Sequence, residues 1–448
     1  MAELVNRHVE SMLPELEEYS KNNIFSSDEI RLILRKRSMF EYRCQRRIVK
    51  KTDFLHYIQY EIYVDRLRFT RCKLRRVSGA AATPNSFAIV QRIHRLFRSA
   101  LQKFKGDLCL WLQYIKFCKV RHAPKKLQQA VQDALKFHSY SEGLWVLAAQ
   151  CDFERDDIDS ARLTMMAALR AHPKSHKIWL EYCRMELLHV DKLRKRYVLT
   201  VAPSKKSNRT HVDEEKLLEG EQFSCKVADQ IYHAAAKRIE DVAVHVSFLS
   251  LFLRFSFAQK SCDAVYAKLA EQYPDHPVSV NARCNRPLAS QTMWSAAVRA
   301  ERECDCDQLF RAALDESPSV ELWEFYCRFW FAAVEHHRLR SNTQSLETAL
   351  RQMFTACQLA LDRDSVSLSV GRHWLDQLLL TGHPAAAIKV MDSLLTKYSD
   401  CEELWLKRLQ LELSQPDSKF AELVEASQKS VELEKSPDFQ AMCKLASA

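Results

Sequence analysis

Carboxylates set at a fixed interval are the first residues in this chain whose type and spacing could do chemistry, because paired acids perform general acid–base catalysis. Glu61, Asp152, Glu186, Glu301 and Glu412 each lie seven residues after the aromatic residue that leads a recurring phrase. Catalysis would need two of them in one pocket, in environments that push their pKa values apart. One acid per phrase reads instead as a structural motif. Asp156, Asp157 and Asp159 could offer oxygen ligands to a hard cation, but they directly precede SARLTMM, where acids cap a helix start and match its dipole. Cys304 and Cys306 flank a single residue, too close for a zinc ligand pair and without a second pair. His336 and His337 follow Trp330 at an expected helix end and read as surface residues, since no His-Glu-x-x-His is present. There is no Walker loop, no Gly-x-Ser-x-Gly and no dinucleotide fingerprint. The expectation is no catalytic residue, no metal, no cofactor and no small-molecule substrate.

Clustered cations offer another chemistry, attraction to phosphate or to acidic side chains. Between Arg31 and Arg76 stand 15 Lys or Arg against four acids, a surplus of 11 in a chain whose net charge is +10. The rest of the chain is near neutral, so the contact is local. Its candidate residues are Arg43, Arg46, Arg47, Lys50 and Lys51, with Arg75 and Arg76. Direct contact with nucleic acid, contact with an acidic protein, and a solvated import signal around RRIVKK all fit this pattern. No aromatic-rich RNP-like strand motif accompanies it.

The elements that must position these residues announce themselves through tryptophan. Trp111, Trp145 and Trp179 are spaced by 34 and 34 residues, a repeat period. They lead the phrases LWLQYIKFC, LWVLAAQCDFE and IWLEYCRMELL, and the phrase returns at Trp294, Trp323 and Trp405, with Phe54 as an aromatic variant. Positions three and seven residues on share the Trp face of a helix, so Trp111, Tyr114 and Cys118 form one buried stripe. Alanine-rich second helices follow, such as 160–173, 229–239, 263–274 and 308–318, and Pro173, Pro274 and Pro318 close three of them. Arg162 and Arg311, each 17 residues after a repeat Trp, are expected to pair with the half-buried acids Asp152 and Glu301. A lone hairpin cannot bury its apolar face, so the units must stack.

Only six glycines occur in 448 residues, far below the roughly 7% of ordinary domains, which disfavours phosphate-binding loops and hairpin turns. The expected class is all-α, a superhelical solenoid of two-helix repeats. Fifteen cysteines without a Cys-x-x-Cys pair, no signal segment and no stretch of 18 uncharged apolar residues suit a soluble protein of a reducing compartment. The expected organisation is a basic helical segment over 1–50, repeats over 51–200, a polar insertion at 201–220 and repeats over 221–273. A loop at 274–292, repeats over 293–415 and a C-terminal helix or tail at 416–448 complete it, with the array expected to be truncated. Trp294 to Trp323 is 29 residues, a shortened unit, and Gly371 stands where an aromatic should lead the unit containing Trp374.

Aromatic-x-x-Tyr with an acid at the seventh position, then an Ala-rich helix ending in Pro, resembles the half-a-TPR (HAT) repeat, a TPR-like unit of RNA-processing complexes. LPELEEYSKNNIFSSDEIRLILRKRSMFEYRCQRRIVKKTDFLHYIQYEI at 13–62 and WLEYCRMELLHVDKLRKR at 179–196 resemble the U3 small nucleolar RNA-associated protein 6 family. The likeness covers most of the chain and fades after about residue 275. It implies a scaffold of the nucleolar small-subunit processome, partnered by other processome proteins and by U3 snoRNA and pre-rRNA, acting in pre-rRNA processing to 18S rRNA. The alternative is a nuclear HAT scaffold of a pre-mRNA splicing or 3′-end cleavage complex. Neither reading involves a membrane.

Overall fold

The computed structural model describes residues 2–74, 87–201, 224–289, 294–340, 343–413 and 423–424. Among them the regular structure is helical throughout. The helices are α1 (Ala2–Glu10), α2 (Leu13–Lys21), α3 (Ser27–Cys44), α4 (Lys51–Leu74), α5 (Ala88–Lys103), α6 (Leu108–Val120), α7 (Pro124–Phe137), α8 (Glu142–Glu154), α9 (Ile158–Ala171) and α10 (His176–Val201). There follow α11 (Lys226–Arg238), α12 (Val242–Phe252), α13 (Gln259–Gln272), α14 (Pro277–Cys284), α15 (Ala296–Glu316), α16 (Val320–Leu339), α17 (Thr343–Asp362), α18 (Leu368–Leu380), α19 (Pro384–Lys397) and α20 (Glu402–Leu413). Two compact units divide inside α10, at residues 185 and 186. In each, consecutive helices pack as antiparallel hairpins, α6 with α7 and α8 with α9 in the first, α16 with α17 and α18 with α19 in the second.

The 34-residue period has a geometric cause that recurs at each regular unit. The Nε1–H of Trp111, Trp145, Trp179 and Trp405 donates to the carbonyl six residues earlier, on Lys105, Ser139, Pro173 and Ser399, at 2.9, 2.9, 3.0 and 2.8 Å. Each acceptor lies two residues past the end of the preceding second helix. The indole thus satisfies a carbonyl that the terminated helix leaves unpaired. The next unit adds a second donor: His138 and His172 reach back with Nε2 to the same carbonyls of Lys105 and Ser139, at 3.0 and 2.9 Å. One carbonyl therefore ties three successive segments together. At Trp323 the linker is one residue shorter, seven residues from Glu316 instead of the eight from Lys103 to Trp111, and its Nε1 is buried with no acceptor.

The turns inside the hairpins explain how a glycine-poor chain can do this. His122 and Asp156, 34 residues apart and each just past a first helix, adopt φ of 49° and 61°, and Gly382 holds the same place after α18 with φ 76°. Such left-handed residues close helix C-termini. Asp157 then caps α9, accepting from Ser160 N at 3.2 Å. Gly371 sits close under Leu394: a Cβ there would meet its Cδ1 at 2.7 Å and push that side chain aside, and Trp374 fills the core one turn later.

Several sequence expectations are corrected. The stretch 274–292 is not simply loop, because His276 and Pro277 start α14, whose Val280 takes the buried leading position. Trp294 leads no helix; it precedes α15, half-buried under the Arg302 guanidinium at 3.3 Å. With no Gly or Pro from 296 to 316, that stretch runs as one helix instead of two, which sets Glu301 and Arg311 about 15 Å apart along its axis. Glu301 is exposed, and Arg311 pairs with Asp307 at 2.9 Å. The buried acids are Glu303 and Asp307, and His337 is itself buried against Glu303 at 2.9 Å instead of lying at the surface. Asp152 is held by Arg155 at 2.8 Å and Thr164 at 3.2 Å, while Arg162 approaches Asp159 on its own helix at 3.6 Å. The expected pair is therefore replaced by nearer partners. Arg75, Arg76, the polar insertion beyond residue 201 and most of the tail beyond 413 lie outside the described residues.

Trp111→Phe should lower stability by about 1 kcal/mol for the lost hydrogen bond, beyond the lost apolar area. Trp323→Phe should have a smaller effect, because its N–H has no acceptor to lose. Urea unfolding of the two variants side by side measures the difference.

Candidate interaction surface

The basic block folds into α3, the turn at 45–50 and α4, and three of its four acids turn inward together with Arg37 and Arg68. Arg37 of α3 is fully buried and grips Glu61 of α4 through Nε and Nη2 at 2.8 and 3.0 Å, and Glu15 of α2 through Nη2 at 3.2 Å. Arg92 of α5 completes the cluster, donating to Glu61 at 2.9 Å and to Glu15 at 2.5 Å. Two carboxylates and two guanidiniums thus leave no net charge in the core. Burial pushes the Glu15 carboxyl up, yet the charges of Arg37 and Arg92 outweigh it and hold the group below the usual carboxylate range. Burial acts against the charged forms of Arg37 and Arg92 as well, and Glu61 is the main group that reverses it.

The remaining acids of the block are engaged in the same way. Glu41 accepts from the Tyr57 hydroxyl at 2.9 Å and Arg95 at 2.8 Å, and meets His8 at 3.1 Å. Asp65 joins Arg68 at 3.0 Å and also contacts Arg121. Asp53 accepts from the Lys50 amide at 3.1 Å. Arg71 makes a bidentate pair with Glu29 at 2.7 and 2.8 Å, and this bonding, with the Ser26 cap, draws Glu29 down to about 2.

Arg35 and Lys36 on α3 and Arg66 and Lys73 on α4 are exposed, and between the two helices the turn adds a denser cluster. Arg46, Arg47 and Lys50 are exposed, Arg43 is half-buried beside them, and none of the four has an acidic partner. Ile48 stands between them at 83% exposure, an apolar residue on a cationic rim. Lys51 departs from the expected set. It pairs with Asp107, which caps α6 by accepting from Leu110 N at 3.3 Å, and so fastens α4 to α6. The repeat-defining Phe54, Trp111, Trp179, Trp323 and Trp405 are core residues, and Trp145 is half-buried. The sequence count took Arg37, Arg68 and Arg71 into the block's charge surplus without separating buried cations from exposed ones. Their helical register with Ile33 and Val64 on the buried faces of α3 and α4 was the available signal.

His94 is a titratable group that the sequence did not single out. It is buried on α5, bonded to the Tyr114 hydroxyl at 3.2 Å, and lowered to about 4 by burial first and then by Lys126, Arg98 and Arg121. Among the described residues no group of three or more metal-ligating side chains converges, and no helix is long and apolar enough to cross a membrane.

Known proteins resemble the chain over nearly all of its length. The family described as U3 small nucleolar RNA-associated protein 6 matches residues 9–92, a span that holds all four members of the buried ion cluster. The family described as U3 small nucleolar RNA-associated protein 6 C-terminal matches residues 303–447, beyond the point where the resemblance read from the sequence fades. The human U3 small nucleolar RNA-associated protein 6 homolog is 30% identical over 431 residues, covering 93% of this chain and 70% of the human one. The mouse homolog is 29% identical over 424 residues, 92% of this chain and 69% of its own. The Schizosaccharomyces pombe U3 small nucleolar RNA-associated protein 6 is 38% identical over 194 residues, 43% of this chain and 40% of that one.

Glu61→Gln should destabilise the first unit by about 3–5 kcal/mol, since it strips charge from buried guanidiniums; urea denaturation followed by far-UV circular dichroism measures it. Acid should act in two windows. A histidine depressed in the folded state takes up its proton first on unfolding, so stability falls as pH drops from 6.5 toward about 4. The lowered Glu15 contributes stability that is present above the ordinary carboxylate range and lost as pH falls through its folded value. His94→Gln should shrink the first window and leave the second, measured by melting temperature against pH.

Proposed function

This chain belongs to the U3 small nucleolar RNA-associated protein 6 family, and from that membership we propose that it is a non-catalytic scaffold of the U3 ribonucleoprotein particle, the small-subunit processome. In this reading it works in the nucleolus, where pre-rRNA is processed to 18S rRNA. It contacts other processome proteins, and U3 snoRNA or pre-rRNA either directly or through them. The printed names of the human, mouse and fission-yeast relatives support association with U3 snoRNA. The fold supports a scaffold: stacked helical hairpins present rows of side chains, and several weak contacts along one chain multiply into avidity.

The observation that carries the reading is the unpaired charge at the turn between α3 and α4. Every acid of the block is engaged inside the first unit, so its exposed cations, with Arg46, Arg47 and Lys50 clustered at the turn, are left to attract an external anion. A cationic turn of this kind adds a salt-dependent, sequence-independent contact. Lys51 adds less to that contact, because Asp107 already offsets its charge.

Arg46→Glu, Arg47→Glu and Lys50→Glu in one chain should leave the circular dichroism spectrum unchanged and reduce recovery of U3 snoRNA with the tagged protein at least severalfold. Depletion should lower 18S rRNA relative to its precursors, read by northern blot. Recovery of spliceosomal or cleavage-complex RNA in place of U3 would contradict the assignment.

A further inference from the structure

A groove in the first unit carries cations that the fold does not require. It lies between α5 and α7, the second helices of neighbouring hairpins, and the first helix between them, α6, forms its floor. Its cavity of about 240 Å³ is smaller than the roughly 300–1,000 Å³ of clefts for drug-sized ligands. A volume of that size suits one planar ring.

The chemistry of the walls is specific. Arg98 and Lys105 come from one face of α5 and its end, Lys126 from α7, and none of the three has an acidic partner. The one acid on the wall, Asp133, is engaged by Lys136 at 2.8 Å. The field of these cations is felt nearby, where Lys126 and Arg98 add to burial in lowering His94. Phe137 is an exposed aromatic at the rim, 48% accessible, stacked with Trp111 at 6.1 Å, and the Lys105 ammonium lies over its ring at 5.5 Å. Gln102 and Gln129 add amides with both donors and acceptors.

The neighbouring groove is an internal control. Between α7 and α9, over Trp145, the same architecture repeats with Gln128, Gln132, Leu135, Leu163 and Thr164 on its walls, and no Lys or Arg lines it. Stacking of the hairpins therefore does not account for Arg98, Lys105 and Lys126.

We propose that the α5–α7 groove is a nucleotide pocket for single-stranded RNA, with one base stacked on Phe137, its edge read by Gln102 and Gln129, and the flanking phosphates held by Arg98, Lys105 and Lys126. Stacking on an aromatic beside cations is the general means of holding unpaired bases. An acidic peptide would satisfy the cations and could meet the amides through its backbone, but acidic side chains offer the exposed ring no flat face to stack on. The pocket is separate from the basic turn at 45–50 and stands on its own residues.

The test is fluorescence anisotropy of a labelled ten-nucleotide single-stranded RNA on the full chain, with an acidic peptide of equal charge as the second probe. Phe137→Ala should weaken RNA binding about tenfold. Arg98→Gln with Lys105→Gln should weaken it and lower the salt slope by about 0.7 per cation removed. Gln132→Glu, in the neighbouring groove, should change nothing. All of these positions are solvent-exposed, and circular dichroism confirms that each variant is folded. RNA affinity unchanged in both groove variants, or preference for the acidic peptide, overturns the inference. Arg46→Gln, Arg47→Gln and Lys50→Gln in one chain separate the two sites. If that chain loses all RNA binding while Phe137→Ala loses none, the pocket fails and the basic turn stands. If ultraviolet crosslinks to the 124–137 segment persist in it, the pocket holds independently.

Discussion

Glu15, Arg37, Glu61 and Arg92 come from four different helices, and none of them can be buried before the others are in place. A lone buried guanidinium or carboxylate is prohibitively unfavourable in a medium of low polarity. The cluster therefore acts as a condition on assembly more than as a source of stability. It admits only the arrangement of α2, α3, α4 and α5 in which all four charges meet. Once that arrangement is reached, α3 and α4 are oriented so that the turn joining them projects its remaining cations outward. Fold and surface charge in the first unit are thus one constraint seen from two sides.

The repeat itself was legible in the sequence because its cause is local. A tryptophan that must reach a carbonyl six residues back, two residues past a helix end, fixes the linker length. A fixed linker shows up directly as the 34-residue interval. The buried acids Glu61, Glu186 and Glu412 were legible for the same reason, since position seven shares the tryptophan's face. The failures arose where a local pattern had no such anchor. MWSAAVRAE matches the phrase, but nothing stops the helix that begins at Ala296, so Trp294 and Glu301 lose the places the pattern gave them. Val280 leads its unit without an aromatic and so escaped notice. His337 was placed at a helix end by composition, while Glu303, 34 residues away, draws it into the core. Long-range partners of this kind leave no mark at one position of a single sequence.

The basic segment taught the same lesson about charge. Counting Lys and Arg located the right region but could not separate Arg37, which neutralises buried acids, from Arg46, which meets solvent. The helical register of α3 and α4 makes that division. It also gives Lys51 an acidic partner in Asp107, while Lys50, one residue earlier, has none. Arg37 is dry among its acids, and Arg46, Arg47 and Lys50 stay wet on the turn between the same two helices.

Lysine footprinting tests that division most directly. The tagged protein, free and within its native particle, is labelled with an amine-reactive reagent, and the modification of Lys50 is compared with that of Lys73, which is exposed elsewhere on α4. Lys50 should label readily in the free chain and become protected in the particle, while Lys73 sets the baseline for general shielding. Equal labelling of Lys50 in the free and assembled states would contradict the account.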